Sequence, residues 1–278
     1  MVSTPEPSTR ARAHQAAVEL LERFGNVPRA AMLLGTGHAS ISNQLESKVV
    51  VSADNLPAGL RFAQDQPLLF GFFEQVPVVV ADAAVPPYEA RTPGEVTFPV
   101  RVFRAMGADL LVLSGGAASL RPQIEPGSLA IIEDHVNFSG FHPLQGMTEP
   151  DLGPRFPDMS DPYTARWRAF ARDVAREIGV PCAPGVFAAM PGPSLPTRAE
   201  YRLLRALGVD LVGMSLVAEV IASVQAGFDL LALLGVTQAI PLDGMAPASI
   251  EQMLDASDLA APRMAALLAG VIRGLGRG

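Results

Sequence analysis

The stretch from residue 208 to residue 238 constrains the fold most, because two short apolar runs flank a segment with helical spacing. Residues 209–212 and 228–236 are apolar except for Asp210 and Asp229, as expected for strands that are largely covered on both faces. Between these runs, apolar residues recur at helical spacing over 216–224. Strand, helix and strand in about 30 residues predict a βαβ unit with parallel strands and a right-handed crossover.

The turn between the first of these strands and the helix is a candidate ligand site. It reads Gly213-Met214-Ser215, with Ser215 as the predicted start signal of the helix and Gly227 as its stop signal. In open α/β sheets ligands bind where strands end and helices begin, and anions in particular bind there.

Small residues follow four predicted strands in the same way. The segments are LLGTG (33–37), LVLSGGAA (111–118), AAMPGPS (188–194) and DLVGMS (210–215), and we interpret residues 114–118 as a turn. Several strand ends of this kind can converge on a single crevice. The alternative is that small residues only make tight turns, as they do in any α/β protein.

The remaining predicted elements complete an α/β pattern, in which the long segment 134–158 is expected to be a functional loop. His135 and His142 lie in that loop with Asp134, but their spacing fits no usual zinc motif, so no metal site is predicted. The predicted helices are 11–24, 92–106, 161–178, 197–207 and 249–275, and the other predicted strands are 30–34, 49–51, 67–73, 76–81, 110–113, 129–132 and 186–190.

Composition bounds the class of protein. The 278 residues are 49% hydrophobic and 18% charged, which predicts one globular domain over 1–278 with a frayed tail at 1–7. The net charge of -7 argues against nucleic acid or an anionic membrane as a partner. A single cysteine, Cys182, excludes an internal disulfide framework. The chain shows neither a membrane-spanning apolar run nor a signal peptide, so a cytoplasmic protein is expected.

Four longer segments resemble the trimeric, low-molecular-mass purine nucleoside phosphorylases. They are VTFPVRVFRAMGADLLVLSGGAASL (96–120), PGSLAIIEDHVNFSGFHPLQG (126–146), RFPDMSDPY (155–163) and GVDLVGMSLVAEV (208–220). The resemblance extends over residues 15–270. It implies a single-domain α/β phosphorylase-type fold, whose mixed and partly barrel-like central sheet is flanked by helices. It also implies a homotrimer with active sites at the subunit interfaces.

The resemblance further implies phosphorolysis of a nucleoside, in which phosphate attacks C1′ of the sugar as the base leaves. No metal or organic cofactor is implied, and phosphate is the co-substrate. For phosphate binding, the residues that match the family are Thr36, Gly116 and Ser215, and His38 lies in the same turn as Thr36. This chain departs from the family at residues 84–90, AVPPYEA, where the family has Arg-x-His-x-Tyr-Glu-Gly.

The sugar and base positions can also be matched. Tyr88 and Met214 match the sugar contacts, Gly115 lies in the same crevice, and Phe156 matches an aromatic residue that reaches into a neighbouring subunit. In the base site Leu195 precedes Pro196, which replaces the family's glutamate. Thr237 and Gln238 stand where the family has Thr-Asn, and the resemblance implies that this pair is catalytic.

Three functions remain open at this point. The first is a phosphorylase with altered base preference. The second is another N-glycosidic reaction, such as hydrolysis or transfer to a different acceptor, because cationic phosphate donors are replaced. The third is a non-catalytic binding protein, because the base-site carboxylate is replaced as well.

Overall fold

A computed structural model describes residues 7–35, 40–62, 65–81, 87–89, 92–147, 149–241 and 249–277. Over these ranges nine strands form one mixed sheet and six α-helices pack against it. The strands are β1 (Ala30–Leu33), β2 (Glu46–Val51), β3 (Leu68–Phe73), β4 (Val76–Ala81), β5 (Leu110–Ser119), β6 (Leu129–Asn137), β7 (Cys182–Ala189), β8 (Leu211–Gly213) and β9 (Asp229–Ala239); the helices are α1 (Thr9–Phe24), α2 (Pro93–Ala105), α3 (Ala165–Glu177), α4 (Arg198–Ala206), α5 (Val217–Ala226) and α6 (Ile250–Arg277).

Capping residues in the sequence set several helix ends. Thr92 and Thr197 each form a capping box, in which the hydroxyl accepts from the backbone N–H three residues on and that residue's glutamate reaches back. Pro93 occupies the first turn of α2, where a missing N–H costs nothing. Gly227 ends α5 in the left-handed conformation, as the sequence predicts.

The sheet closes on itself at one end. Its strand order is β2-β3-β4-β1-β5-β8-β7-β6-β9, and β9 also pairs with β5. The strands β5, β8, β7, β6 and β9 therefore form a closed five-stranded barrel, and the first four strands extend from β5 as an open wing. This architecture confirms the mixed, partly barrel-like sheet that the resemblance implies.

The predicted turn at residues 114–118 is wrong. These residues lie within β5, which runs on to Ser119 and pairs with β9 along its whole length. Ala118 and Ser119 also pair with β8 on the other side. Small residues are compatible with a strand where neighbouring backbones approach closely, and here pairing with β9, joined by β8 at Ala118, decides the conformation.

The predicted parallel βαβ unit is also wrong. β8 pairs antiparallel with β5, whereas β9 pairs parallel with β5, so β8 and β9 run in opposite directions and are not neighbours. Apolar runs indicate burial but carry no information about strand direction. The helix between them begins at Val217 after Leu216, and Ser215 is not its cap.

Other predicted boundaries shift outward or inward by several residues. β2 begins at Glu46, β6 continues to Asn137, and β9 continues to Ala239, so the predicted loop at 134–158 begins later than expected. α3 begins at Ala165 instead of residue 161.

Two large hydrophobic clusters cover the two faces of the sheet. α1, α2 and α5 pack on one face, and α3 and α6 pack on the other. Among the described helices, α6 alone is long and apolar enough to cross a membrane by length and composition. Its residues Leu267, Leu268 and Val271 are fully buried in the second cluster, as in the core helix of a globular domain.

Candidate active site

The end of β1 meets the middle of β5 without room for a side chain. A Cβ built on Gly35 would lie 2.8 Å from the Cα of Gly115 and 2.9 Å from the carbonyl oxygen of Ser114. The N–H of Gly35 donates to the Ser114 hydroxyl at 3.4 Å. The chain therefore leaves β1 directly over Gly115. Thr36 and His38, the predicted phosphate-binding residues that follow, lie outside the described residues.

Ser215 reaches the same point from β8. A Cβ built on Gly115 would lie 3.3 Å from the Ser215 hydroxyl oxygen. The turn that carries Ser215 is strained: Leu216 has a φ of 74°, and the N–H of Val217 donates to the Ser215 carbonyl at 3.0 Å. This is the rare γ-turn with positive φ, and such outliers occur at functional sites. The hydroxyl and the bare strand backbone lie side by side.

Thr237 and Gln238 approach β5 from the opposite neighbour, β9. A Cβ built on Gly116 would lie 3.3 Å from the Thr237 methyl group, and the Thr237 hydroxyl donates to the Ala117 carbonyl at 3.3 Å. Gln238 pairs with Ala118 after a register shift in the strand. Its amide forms no side-chain hydrogen bond with any described residue, so it is available to a ligand.

Met214 and Tyr88 meet at Gly192, just beyond the end of β7. A Cβ built on Gly192 would lie 2.5 Å from the Met214 sulfur and 3.3 Å from the Tyr88 ring. Gly192 also has a φ of 64°, which favours glycine. These contacts bring together a strand end, a strand-to-helix turn and the short segment 87–89.

We call the residues joined by these contacts the strand-end site. Its members lie within β5 and β9, just after the ends of β1, β7 and β8, and in the segment 87–89. Gly116 is exposed in an otherwise largely buried strand. No charged side chain is among the described members of the site, so the anion donors that it offers are hydroxyl and backbone N–H groups. The strand-end site consists of Gly35, Tyr88, Gly115, Gly116, Gly192, Met214, Ser215, Thr237 and Gln238.

Three predicted site residues are not joined to the strand-end site by any described contact. Phe156 is 86% exposed and lines a separate cavity of about 280 Å³ with His135 and His142. Leu195 is 46% exposed, and Pro196 is buried beside it. Phe156 therefore projects away from its own chain's core.

A buried carboxyl group that sequence analysis missed lies in the first turn of α5. Glu219 is 1% exposed, and its Oε2 atom has no hydrogen-bond partner among the residues that the structure describes. Burial raises the pKa of Glu219 to about 7. The signal that could have revealed it is a single acidic residue between the apolar pairs Val217-Ala218 and Val220-Ile221. The turn that holds Ser215 is therefore followed directly by a helix whose first turn contains a buried carboxyl group.

The described residues offer no metal centre, since no group of three or more His, Cys, Asp or Glu residues is clustered among them. The ring Nδ1 of His135 forms a hydrogen bond with the Tyr163 hydroxyl at 2.9 Å, and burial lowers the pKa of His135. Burial raises the pKa of the Cys182 thiol to about 12, which makes this thiol a poor nucleophile.

Comparison with known proteins identifies relatives along most of the chain. Residues 29–273 match the profile of the Phosphorylase superfamily. Purine nucleoside phosphorylase 1 of Geobacillus stearothermophilus is 38% identical over 227 residues, which cover 81% of this chain and 83% of that protein. Purine nucleoside phosphorylase of Bos taurus is 33% identical over 255 residues, which cover 88% of each chain.

The fold agrees with these sequence relationships. The crystal structure of Schistosoma mansoni purine nucleoside phosphorylase in complex with inosine has a TM-score of 0.90 and 26% identity, and the match covers 95% of this chain and 96% of the other. The complex of the same enzyme with adenosine has a TM-score of 0.91.

Proposed function

Because this chain belongs to the Phosphorylase superfamily, among the purine nucleoside phosphorylases, we propose that it cleaves the N-glycosidic bond of a nucleoside with phosphate. The products are the free base and ribose 1-phosphate. The observation that carries this proposal is the meeting of Gly35, Gly115 and Ser215 beside the Gly192, Met214 and Tyr88 contact. On this proposal the anion position lies next to the sugar position, since Ser215 directly follows Met214 in the chain.

In the proposed reaction a phosphate oxygen forms a bond to C1′ as the bond from C1′ to the base nitrogen breaks. The electron pair leaves with the base, which takes up the proton that the attacking hydrogen phosphate loses. Ser215, Gly116 and Thr36 bind the phosphate, with His38 in the same turn. Backbone N–H and hydroxyl donors aimed at an anion stabilise the charge that moves during such a step. Phosphate is the co-substrate, and the proposal requires no metal or organic cofactor.

Met214 and Tyr88 hold the sugar, with Gly115 beneath it, and Thr237 and Gln238 face the leaving base. The Gln238 amide can both donate to and accept from the base edge, since it has no partner among the described residues. Pro196 offers neither a donor nor an acceptor side chain. We propose that Leu195 and Pro196, which no described contact joins to the strand-end site, border the base and discriminate weakly among bases, because neither side chain offers a polar group that a wrong base would leave unpaired.

We further propose a homotrimer in the cytoplasm, in which Phe156 of one chain reaches the site of its neighbour. The 86% exposure of this large aromatic side chain is compatible with a contact across a subunit interface, where aromatic residues are enriched. We also propose that residues 1–278 form a single domain.

Product analysis with and without phosphate tests the proposed reaction. Inosine, guanosine, adenosine and cytidine are incubated with the protein, and free base and ribose 1-phosphate are quantified by chromatography. We expect both products only when phosphate is present. Base release at the same rate without phosphate would favour hydrolysis. The lack of charged side chains among the described members of the site supports this second candidate function. Calorimetric binding of nucleosides without any release would indicate a non-catalytic protein.

A further inference from the structure

A second cavity, of about 390 Å³, lies between the beginnings of α1 and α2 and the segment around residues 59–61. It shares no residue with the strand-end site, and no function has been assigned to it above. We call it the two-arginine cavity. Its lining residues are Thr9, Arg12, Gly59, Arg61, Thr92, Gly94, Glu95 and Phe98.

Packing holds the first arginine in place. The Arg12 guanidinium lies over the Phe98 ring, 5.1 Å from its centroid. On its other side Arg12 packs against Gly59, where a Cβ would collide with the guanidinium Nη2. A cation between an aromatic face and a bare backbone loses little further freedom when it binds a ligand. Arg12 is therefore a preorganised donor at the wall of the cavity.

The charges of the two arginines are not neutralised by the described residues. Neither Arg12 nor Arg61 takes part in an ion pair among them, although the chain as a whole is acidic. The neighbouring Arg10, by contrast, pairs with Asp151 at 3.4 Å. Two uncompensated guanidinium groups thus line the same concave surface.

The one carboxylate in the lining is engaged elsewhere. Glu95 Oε2 accepts hydrogen bonds at 2.9 Å from both the backbone N–H and the hydroxyl of Thr92. These bonds belong to the capping box of α2 and hold the carboxylate at its own helix end. The lining residues thus carry two positive charges against one negative charge.

We propose that the two-arginine cavity binds the phosphate group of a small phosphate ester between Arg12 and Arg61. Guanidinium groups form charge-assisted, often bidentate hydrogen bonds with phosphate oxygens. The cavity is larger than a phosphate ion requires, which leaves room for the organic part of an ester. This proposal does not depend on the proposed reaction, because the cavity and the strand-end site have no residue in common.

Titration calorimetry with ribose 5-phosphate tests the site, with inorganic phosphate and ribose as the two comparison ligands. We expect Arg12→Gln and Arg61→Gln each to weaken binding of the ester about tenfold, as loss of one charge-assisted contact does. Ribose should not bind at this site. Inorganic phosphate that binds as tightly as the ester, and loses affinity in both variants, would identify the free ion as the ligand and overturn the ester assignment.

Matched variants separate this site from charge effects and from the strand-end site. Arg176→Gln removes the same charge from the exposed surface of α3 and should leave binding of the ester unchanged. Ser215→Ala should also leave it unchanged. If Ser215→Ala abolishes all binding, or if the Arg12→Gln/Arg61→Gln double variant binds as the unaltered protein does, the proposal is wrong. Because Arg12 packs on Phe98, thermal unfolding of Arg12→Gln is measured in parallel, and Arg61→Gln alone suffices for the test.

Discussion

Gly192 and Met214 are so close that a Cβ on the glycine would lie 2.5 Å from the methionine sulfur. The contact joins the end of β7 to the turn after β8, and the Tyr88 ring lies against the same glycine. A side chain at residue 192 must therefore displace Met214 or Tyr88, the two residues proposed to hold the sugar.

We predict that Gly192→Ala raises KM for the nucleoside at least about tenfold, since misplaced binding groups cost one or more kcal/mol. Steady-state kinetics measures the effect. The matched control is Gly179→Ala, because Gly179 has a φ of 68°, against 64° for Gly192, but nothing lies within 4 Å of a Cβ there. Equal KM values in the two variants would show that backbone strain, and not contact with Met214 and Tyr88, causes the change.

We predict that Ser215→Ala lowers kcat/KM for phosphate by about ten- to a hundredfold, because a hydrogen bond to a charged group contributes about 1.5–3 kcal/mol. Ser215→Thr keeps the hydroxyl and should retain more activity than Ser215→Ala. Ser52→Ala, which removes a surface hydroxyl that accepts from Asn55, is the control and should have no effect. Unchanged phosphate kinetics in Ser215→Ala would place the phosphate elsewhere.

We predict that Glu219→Gln stabilises the protein above pH 7. Burial raises the folded-state pKa of Glu219 from the ordinary value of 4.5 to about 7, so the folded chain keeps a proton that the unfolded chain has lost in this range. Stability therefore falls as pH rises from 4.5 to 7 and levels off above it. The glutamine variant does not lose stability in this way. Its free energy of unfolding at pH 8 should exceed that of the unaltered protein by up to about 3 kcal/mol.

Urea unfolding at pH 5 and pH 8 measures this difference. Glu22→Gln, which changes an exposed glutamate of α1, serves as the control and should follow the pH dependence of the unaltered protein. A Glu219→Gln variant with that same pH dependence would mean that Glu219 does not carry a proton in the folded chain.

We predict that Arg101→Ala destabilises the fold by about 3 kcal/mol or more, because it leaves several buried acceptors without a donor. Arg101 is 4% exposed, and burial lowers its pKa to about 10. Its guanidinium donates at 3.3 Å to the carbonyl oxygens of Leu152 and Ala222, and it also donates to the Gln225 amide oxygen.

Arg104→Ala on the same helix is the matched control. Arg104 pairs with Asp109 at 2.9 Å, but both side chains are partly or largely exposed. The variant should therefore lower the free energy of unfolding by less than about 1 kcal/mol. Similar midpoints of chemical unfolding for the two variants would contradict a structural role for Arg101.

Local sequence signals predicted the helices better than the strand connections. The Thr197 capping box and the Gly227 stop act within one turn, so their effect can be read from neighbouring residues. The conformation of residues 114–118 depends instead on β8 and β9, which are more than 90 residues away along the chain. Tertiary pairing overrides the turn preference of small residues there.

The candidate site shows the same division. The four small-residue segments indicated a shared crevice, and contacts at Gly35, Gly115 and Gly192 bring members of all four together. The lack of ion pairs at Arg12 and Arg61 among the described residues could not be predicted from the sequence. Whether Arg12 and Arg61 are neutralised depends on which carboxylates lie close to them in the folded chain. The spacing of Thr92 and Glu95 predicts that Glu95 caps α2, but it does not reveal that both arginines line the same cavity as Glu95.

Closure of the barrel leaves β2 as the one strand in the described sheet with an unpaired side. That strand is irregular: its pairing with β3 shifts between Glu46 and Val49, Ser47 has a φ of 48°, and Lys48 follows. An irregular edge strand that carries charge is a poor template for pairing with a further strand. Copies of this chain are therefore discouraged from joining backbone to backbone into fibres, and association is directed to side-chain surfaces.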